Sequence, residues 1–192
     1  MAGKRATKML ILSSARTLFS EKGYDNTPVE EICALAGIAK GTFFYYFENK
    51  QSIVRYILAM QLNEYAQKLK DQIDTLKDAI SKAEYFIAAL VEHGRGIGEC
   101  DSYFKEFESE WYATVLREER TAVLLPVLTD VINQGITEGY FHISYPDVCA
   151  RVTFFGIDAY LRSSRQFKDE ERKGIREITA KTLGIRETDL AI

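Results

Sequence analysis

Two short helical segments separated by a tight turn that contains a glycine constrain the fold of this chain more than any other sequence feature. The first begins at Thr27-Pro28-Val29-Glu30, where the threonine can cap a helix, the proline suits its first position and the glutamate can complete a capping box. Gly37 ends this segment after about two and a half turns, and a second short helix is predicted from Lys40 to Phe47. This spacing predicts a helix-turn-helix over about residues 28–47.

The rest of the chain also has the apolar spacing of helices. Ahead of the pair, one helix face is formed by Ile11, Leu12, Ala15, Leu18 and Phe19. Asn49 can cap a long fourth helix, and further helices are predicted around residues 76–90, 103–115, 120–138, 146–161 and 175–183. Gly23, Gly139 and Gly184 are predicted helix ends, and Pro126 is expected to kink its helix or mark its true start. No alternating strand pattern exceeds a few residues, so an all-α chain of about nine helices is predicted.

Charge is distributed unevenly over the 192 residues. The whole chain has a net charge of -3, with 25 basic and 28 acidic side chains. Residues 1–60 have a net charge of +3 and the remainder has a net charge of -6. A basic front on an acidic body is typical of a nucleic-acid-binding domain joined to a separate effector body, although a basic solubilising tail would give the same balance.

The segment from Lys40 to Phe47 has the side chains of a DNA-binding helix. Lys40 can meet a phosphate or a guanine edge, Gly41 allows close approach of the backbone, and Thr42 can contact a base or a phosphate. Tyr45 and Tyr46 offer hydroxyls to phosphates, whereas Phe43 and Phe47, four residues apart, are expected to face the core. The alternative is an aromatic core helix, but so short a helix cannot bury all of these rings.

Residues from about 5 to 65 resemble the N-terminal domain of the tetracycline-repressor (TetR) family of transcriptional regulators. The matching segments are Ala15-Arg16-Thr17-Leu18-Phe19, Lys22-Gly23-Tyr24, Thr27-Pro28-Val29-Glu30-Glu31-Ile32, Ala36-Gly37-Ile38-Ala39-Lys40-Gly41-Thr42, Phe43-Phe44-Tyr45-Tyr46-Phe47 and Asn49-Lys50. The resemblance implies an N-terminal three-helix helix-turn-helix domain at residues 5–65. It also implies a C-terminal helical domain at residues 66–192 that binds a small molecule and dimerises.

The resemblance also implies roles for individual residues. It implies a homodimer on a palindromic operator in double-stranded DNA, with Thr27 and Lys50 on phosphates and a groove surface of Lys40, Gly41, Thr42, Tyr45 and Tyr46. Two positions depart from the family pattern, since Phe44 stands where tyrosine is common and Tyr46 where histidine is common. Both departures change the donors available to DNA and leave the base preference open.

The helix predicted after Pro146 is apolar on two faces. Val148, Val152, Phe155 and Ala159 share one face, and Phe154, Ile157 and Leu161 share another. A helix with two apolar faces must be covered on both, and in so small a body one cover is expected to be a second copy of the chain. The predicted dimer interface comprises Val152, Phe155, Ile157, Leu161, Ile175 and Ile178.

Aromatic residues in the C-terminal part suggest a cavity for an apolar or planar small-molecule effector. The candidates are Phe86, Phe104, Phe107, Trp111, Phe155 and Asp158. Most of these rings could equally be core. Asp158 lies within an apolar run and needs a partner, which could be a cationic ligand or a hydrogen bond within the dimer interface.

Other functional classes find less support. No nucleophile–base pair, metal cluster or phosphate loop indicates an enzyme, and no cofactor is implied. Cys33, Cys100 and Cys149 are odd in number and far apart, and no apolar run reaches membrane length, so a cytoplasmic location is expected. The sequence therefore predicts a sequence-specific DNA-binding transcriptional regulator, a repressor released from its operator by an effector. A helical adaptor or small-molecule-binding protein without operator function is the alternative.

Overall fold

The computed structural model of the chain describes residues 2–93, 110–163 and 169–190. Every regular element in these ranges is a helix, which confirms the all-α prediction. The chain forms two compact units, one from residues 2–62 with residues 110–119, and one from the remaining described residues. Within the same ranges, no helix combines the length and the hydrophobicity needed to cross a membrane.

The described residues contain eight α-helices and a terminal 3-10 turn. Their bounds are α1 Ala2–Lys22, α2 Val29–Ala36, α3 Lys40–Tyr46, α4 Lys50–Asp74, α5 Ala79–His93, α6 Glu110–Thr137, α7 Pro146–Ser163 and α8 Asp169–Leu183, with the 3-10 turn at Glu187–Asp189. The predicted helix ends at Gly23, Gly139 and Gly184 are confirmed, because each helix stops at or before its glycine and each glycine has a positive φ.

The first unit is built around the turn between α2 and α3. Gly37 adopts the left-handed conformation, with φ of 65°, and its N–H donates to the Ala34 carbonyl. Glycine tolerates this conformation, so α2 ends without strain. Its core joins the apolar face of α1 to Ile32, Phe43 and the start of α4, and the beginning of α6 packs on it through Tyr112 and Val115.

Asn49 caps α4, as predicted from the sequence. Its Oδ1 accepts the backbone N–H of Ser52 at 2.8 Å, and the Ser52 Oγ in turn accepts the N–H of Asn49 at 3.3 Å. This reciprocal pair satisfies two backbone donors at the start of the helix. These local hydrogen bonds fix where α4 begins.

The second unit has its own core, formed by α5, the later part of α6, α7 and α8 with the end of α4. Gly135 is required here, since a Cβ at this position would lie 2.1 Å from the ring of Phe141. The backbone N–H of Phe141 also bonds the Gly135 carbonyl at 3.1 Å, which folds the chain back after α6. This contact explains the glycine that the sequence places before the turn.

The predicted cap at Thr27 is wrong, and of the two alternatives predicted for Pro126, a kink or a true helix start, the second is excluded. Thr27 does not cap α2, because its hydroxyl is buried and donates to the Gly23 carbonyl at 2.8 Å, and Pro28 occupies the cap position without a side-chain hydrogen bond. Pro126 does not mark the start of a helix, because α6 runs unbroken through it. The packing of both apolar stretches of α6 outweighs the one backbone hydrogen bond that the proline removes.

Candidate nucleic-acid interface

The two sides of α3 differ sharply in exposure. Phe43 and Phe47 are buried, which confirms that they face the core, and they hold the helix on the first unit. The opposite side presents Tyr45, which is 64% exposed, together with exposed Phe44. Lys40 and Gly41 are exposed, and Thr42 and Tyr46 are half-buried. The structure thus brings all five predicted groove residues to one short helix that is anchored by its other face.

Lys40 stands at the start of this surface beside an acid of α2. Its ammonium donates to Glu30 Oε1 at 2.5 Å and lies 6.0 Å from the centre of the Phe44 ring. The hydrogen bond to Glu30 raises the pKa of Lys40, and the same bond lowers the pKa of Glu30. Both side chains are exposed, so this pair can exchange its carboxylate for a phosphate at little cost.

The first turns of α1 also reach this surface, which the sequence did not indicate. The Lys4 ammonium donates to Tyr45 Oη at 2.8 Å and lies 5.4 Å from the centre of that ring. Lys8 lies 3.7 Å from the ring centre of Tyr56, beside Phe47. The only sequence signal for these contacts was the excess of basic residues at the start of the chain.

Thr27 and Lys50, predicted to contact phosphates, have internal partners. The Thr27 side chain is fully buried, so its hydroxyl cannot meet DNA while this unit keeps its fold, and that part of the prediction is wrong. The Lys50 ammonium donates to the carbonyls of Tyr24 at 2.5 Å and Thr27 at 2.9 Å and lies 4.0 Å from the Tyr24 ring centre. Partial burial lowers its pKa. One ammonium hydrogen is left for a further acceptor.

Comparison with known proteins shows that the helix-turn-helix segment matches a family of regulators. The model of the bacterial regulatory proteins of the tetR family matches residues 11–57, which include α2, α3 and the turn between them. The chain belongs to the tetR family of bacterial regulatory proteins. This regulator is therefore a DNA-binding protein, and α3 is the second helix of the helix-turn-helix within the matched residues.

Relatives match over more of the chain. The regulator is 24% identical over 164 residues to the fatty acid metabolism regulator protein of Bacillus subtilis, a match that covers 81% of each chain. It is 28% identical over 138 residues to the HTH-type transcriptional repressor KstR2 of Mycobacterium tuberculosis, covering 68% of this chain and 67% of that one. These proteins regulate transcription and are not enzymes, in agreement with the prediction that this chain is not an enzyme.

A solved structure extends the likeness to the fold of nearly the whole chain. The crystal structure of RolR in complex with resorcinol superposes with a TM-score of 0.69 at 21% identity, over 98% of this chain and 92% of that one. At this identity the likeness shows the fold alone. It supports the helical C-terminal part that the sequence matched only weakly.

The residues predicted to line an effector cavity do not share one core. Phe86 is buried in the core of the second unit, whereas Trp111 packs against the core of the first. Phe155 is partly exposed at the surface of α7, edge-on to Phe154 at 5.6 Å between ring centres. Phe104 and Phe107 lie outside the described residues.

Asp158 finds its partners within its own chain. Its carboxylate pairs with Arg120 of α6 at 3.0 Å and with Arg162 of α7 at 2.7 Å. Asp158 and Arg120 are 2% and 4% exposed, so they form a buried ion pair in the second unit. The two arginines balance the charge of this carboxylate, so it does not require a cationic ligand, but within the described residues its Oδ2 accepts no hydrogen bond and can still receive one. An arginine between Glu119 and Thr121 carries no sequence signal of burial, so Arg120 was missed.

The residues predicted at a dimer interface divide into two groups. Ile157, Leu161 and Ile175 are buried in the core of their own unit, Leu161 with 1% of its surface exposed. Val152, Phe155 and Ile178 are exposed on α7 and α8. Between these helices runs a mainly apolar groove of about 450 Å³, lined among others by Val152, Gly156, Gly174 and Ile178. Ile157 and Ile175 also line this groove between α7 and α8.

Proposed function

We propose that this chain is a homodimeric repressor that binds a palindromic operator through α3 and is released from it by a small-molecule effector. The repressor sense is supported by the relatives, among them the transcriptional repressor KstR2. The observation that carries the DNA-binding part is the anchored helix α3, whose outer side exposes a hydroxyl-bearing ring and cations while its inner rings are buried.

We assign the following roles at the DNA. Thr42 and Tyr46 contact bases: both are half-buried, Thr42 follows Gly41, where the backbone has open space around it, and Tyr46 is the last residue of the helix on the same side as Thr42. Lys40 and Tyr45 donate to phosphates from its exposed side. Lys50 contributes its remaining hydrogen to a phosphate, and chiefly holds the turn before α2 by its two carbonyl bonds.

Selection from a random duplex library tests this assignment. The wild-type chain is expected to enrich a two-fold symmetric motif, since two copies of α3 meet two half-sites. Thr42→Ala and Tyr46→Ala are expected to change the enriched motif, and Tyr45→Phe is expected to weaken binding to all sequences alike. A wild-type chain that enriches no symmetric motif, or a motif unchanged by both alanine variants, would contradict the proposal.

We assign the dimer contact to the outer faces of α7 and α8. Val152 and Ile178 are 59% and 66% exposed, and an apolar surface of this kind is stabilised when a partner covers it. Gly156 and Gly174 have no atom within 4 Å of the place a Cβ would take, so helices of a second copy can approach closely. Four helices, two from each copy, would then form the interface. Light scattering at micromolar concentration tests the assignment, and a monomer would contradict it.

The effector is proposed to bind within the second unit and to be apolar or planar. RolR, which shares the fold, was crystallised with resorcinol. Phe86 is the predicted ring that belongs to this unit's core. The buried Arg120–Asp158 pair is the polar group of the same unit that can hydrogen-bond a hydroxyl of the effector. A thermal-shift screen followed by operator binding tests this. Ligands that raise the melting temperature without lowering operator affinity would contradict it.

A further inference from the structure

The first turn of α1 holds a cation that is paired, within the described residues, with a neutral side chain. Lys4 is exposed, and its ammonium donates to Tyr45 Oη at 2.8 Å across 41 positions of sequence. Two other exposed lysines of this unit differ, because Lys22 and Lys40 are each paired with a glutamate at 2.5 Å. The pairing with a phenol leaves the charge of Lys4 uncompensated.

The direction of this hydrogen bond decides what Tyr45 can do. The phenol oxygen accepts from Lys4, so its own O–H hydrogen stays available to donate. A cationic donor polarises the phenol and strengthens the hydrogen bond that its O–H makes in turn. Lys4 keeps two further hydrogens. Together the two side chains present several donors and one positive charge, which suits the anionic oxygens of a phosphate.

The surroundings of Lys4 favour the same ligand. Arg5 follows directly and is exposed, and α1 contains no acidic residue before Glu21. The first five turns of α1 therefore bring no carboxylate that would compete with a phosphate for these cations. The start of α1 is thus a cationic segment, held beside the exposed face of α3 by the Lys4–Tyr45 bond.

From these contacts we infer that Lys4 is a second DNA-contacting element of this regulator. It positions the Tyr45 hydroxyl and itself binds a backbone phosphate that flanks the bases contacted by α3. The inference rests on the proposed operator binding by α3. It adds a residue outside the helix-turn-helix to the interface and gives the basic start of the chain a function beyond solubility.

A double-mutant cycle with Lys4→Met and Tyr45→Phe tests the inference on the full-length chain. Lys70→Met is the matched control, since Lys70 is an exposed lysine of the second unit. Lys4→Met is expected to weaken operator binding about tenfold and to flatten the salt dependence by about 0.9 for each phosphate it no longer neutralises, whereas Lys70→Met changes neither. Because Lys4 acts partly through Tyr45, the double variant is expected to lose at least about threefold less than the product of the single losses.

Phosphate ethylation interference provides a readout that a purely structural role would not move. The wild-type chain is expected to show one more sensitive flanking phosphate in each half-site than Lys4→Met. An unchanged interference pattern, single losses that multiply in the double variant, or a Lys4→Met loss no larger than that of Lys70→Met would each overturn the inference. Melting temperatures close to wild type are expected for all variants, since both side chains are exposed. A wild-type chain without operator binding would instead remove the proposed function itself.

Discussion

Two of the surfaces on which the described residues expose large apolar side chains have different neighbours. On the recognition surface, formed by the outer side of α3 with Lys4, the exposed rings of Phe44 and Tyr45 each lie within about 6 Å of a lysine ammonium. On the paired-helix face, formed by the outer sides of α7 and α8, Val152 and Ile178 lie beside glycines, and Glu170 and Glu171 line the same groove.

This difference separates two kinds of partner that exposed apolar area alone does not separate. On a surface that combines rings, hydroxyls and cations, the rings and hydroxyls can contact bases while the cations bind phosphates. A groove that is mainly apolar and is bordered by two glutamates would repel a phosphate, but its glycines allow a helix of another copy to pack closely against it. The polar groups around an apolar patch therefore identify its partner better than the size of the patch.

Charging the paired-helix face is expected to have the largest effect, because it should abolish the dimer. Val152→Glu combined with Ile178→Glu is expected to give monomers, because each would place a carboxylate in an apolar contact. Operator affinity is expected to fall as the dimer is lost, since a palindromic site needs two copies. Light scattering and operator titration measure both effects. Tyr140→Glu, at another exposed apolar side chain of the same unit, is the control and should stay dimeric. A dimer in the charged double variant would show that the copies meet elsewhere.

Removing the Asp158 carboxylate of α7 tests how much the buried ion pair of the second unit contributes to stability. Asp158→Ala leaves Arg120 buried without its counter-charge and is expected to lower the free energy of unfolding by about 3–5 kcal/mol. Arg162→Gln removes the more exposed partner of the same carboxylate and is expected to cost at most about 1 kcal/mol. Denaturant unfolding of the two variants measures the contrast. Equal losses would mean that the Arg120–Asp158 pair adds nothing beyond a surface ion pair.

Lys40 on the recognition surface and Lys50 at the start of α4 are expected to differ in what they contribute to stability. Lys50→Met removes two hydrogen bonds to backbone carbonyls and is expected to lower the free energy of unfolding by about 2 kcal/mol. Lys40→Met removes only an exposed ion pair, so its melting temperature should stay close to that of the wild type while operator affinity falls. Thermal melting alongside operator titration separates the two roles. A Lys50→Met chain as stable as Lys40→Met would show that the carbonyl bonds contribute little.

The smallest expected effect is on the pH dependence of stability, to which one buried tyrosine in each unit contributes. Burial raises the pKa of Tyr24 and of Tyr65 from 10.0 to about 12. The neutral phenols stabilise the folded state fully below pH 10, and this contribution is lost as the pH rises through about 12, because the unfolded tyrosines ionise first. Tyr24→Phe and Tyr65→Phe are each expected to lessen the fall in melting temperature between about pH 10 and 12. An unchanged fall in both variants would contradict the raised pKa values.

Much of the first unit could be predicted from the sequence because its signals are local. A glycine ends each of α1 and α2, Asn49 caps α4, and the four-residue spacing of Phe43 and Phe47 fixes which side of α3 is buried. Each signal acts within a few residues, where backbone geometry and hydrogen bonding leave few alternatives. The helical class, the helix-turn-helix and the residues exposed on α3 follow from such signals.

Contacts between residues distant in sequence were decided by the tertiary structure. Lys4 meets Tyr45 and Arg120 meets Asp158 only after several helices have packed, and neither pair leaves a periodic trace in the sequence. Tertiary packing also drew Thr27 into the core and carried α6 through Pro126, although both residues signal helix boundaries locally. Local propensities amount to about 1–3 kcal/mol, and burial of a core side chain contributes a similar or larger amount, so packing prevails wherever the two conflict.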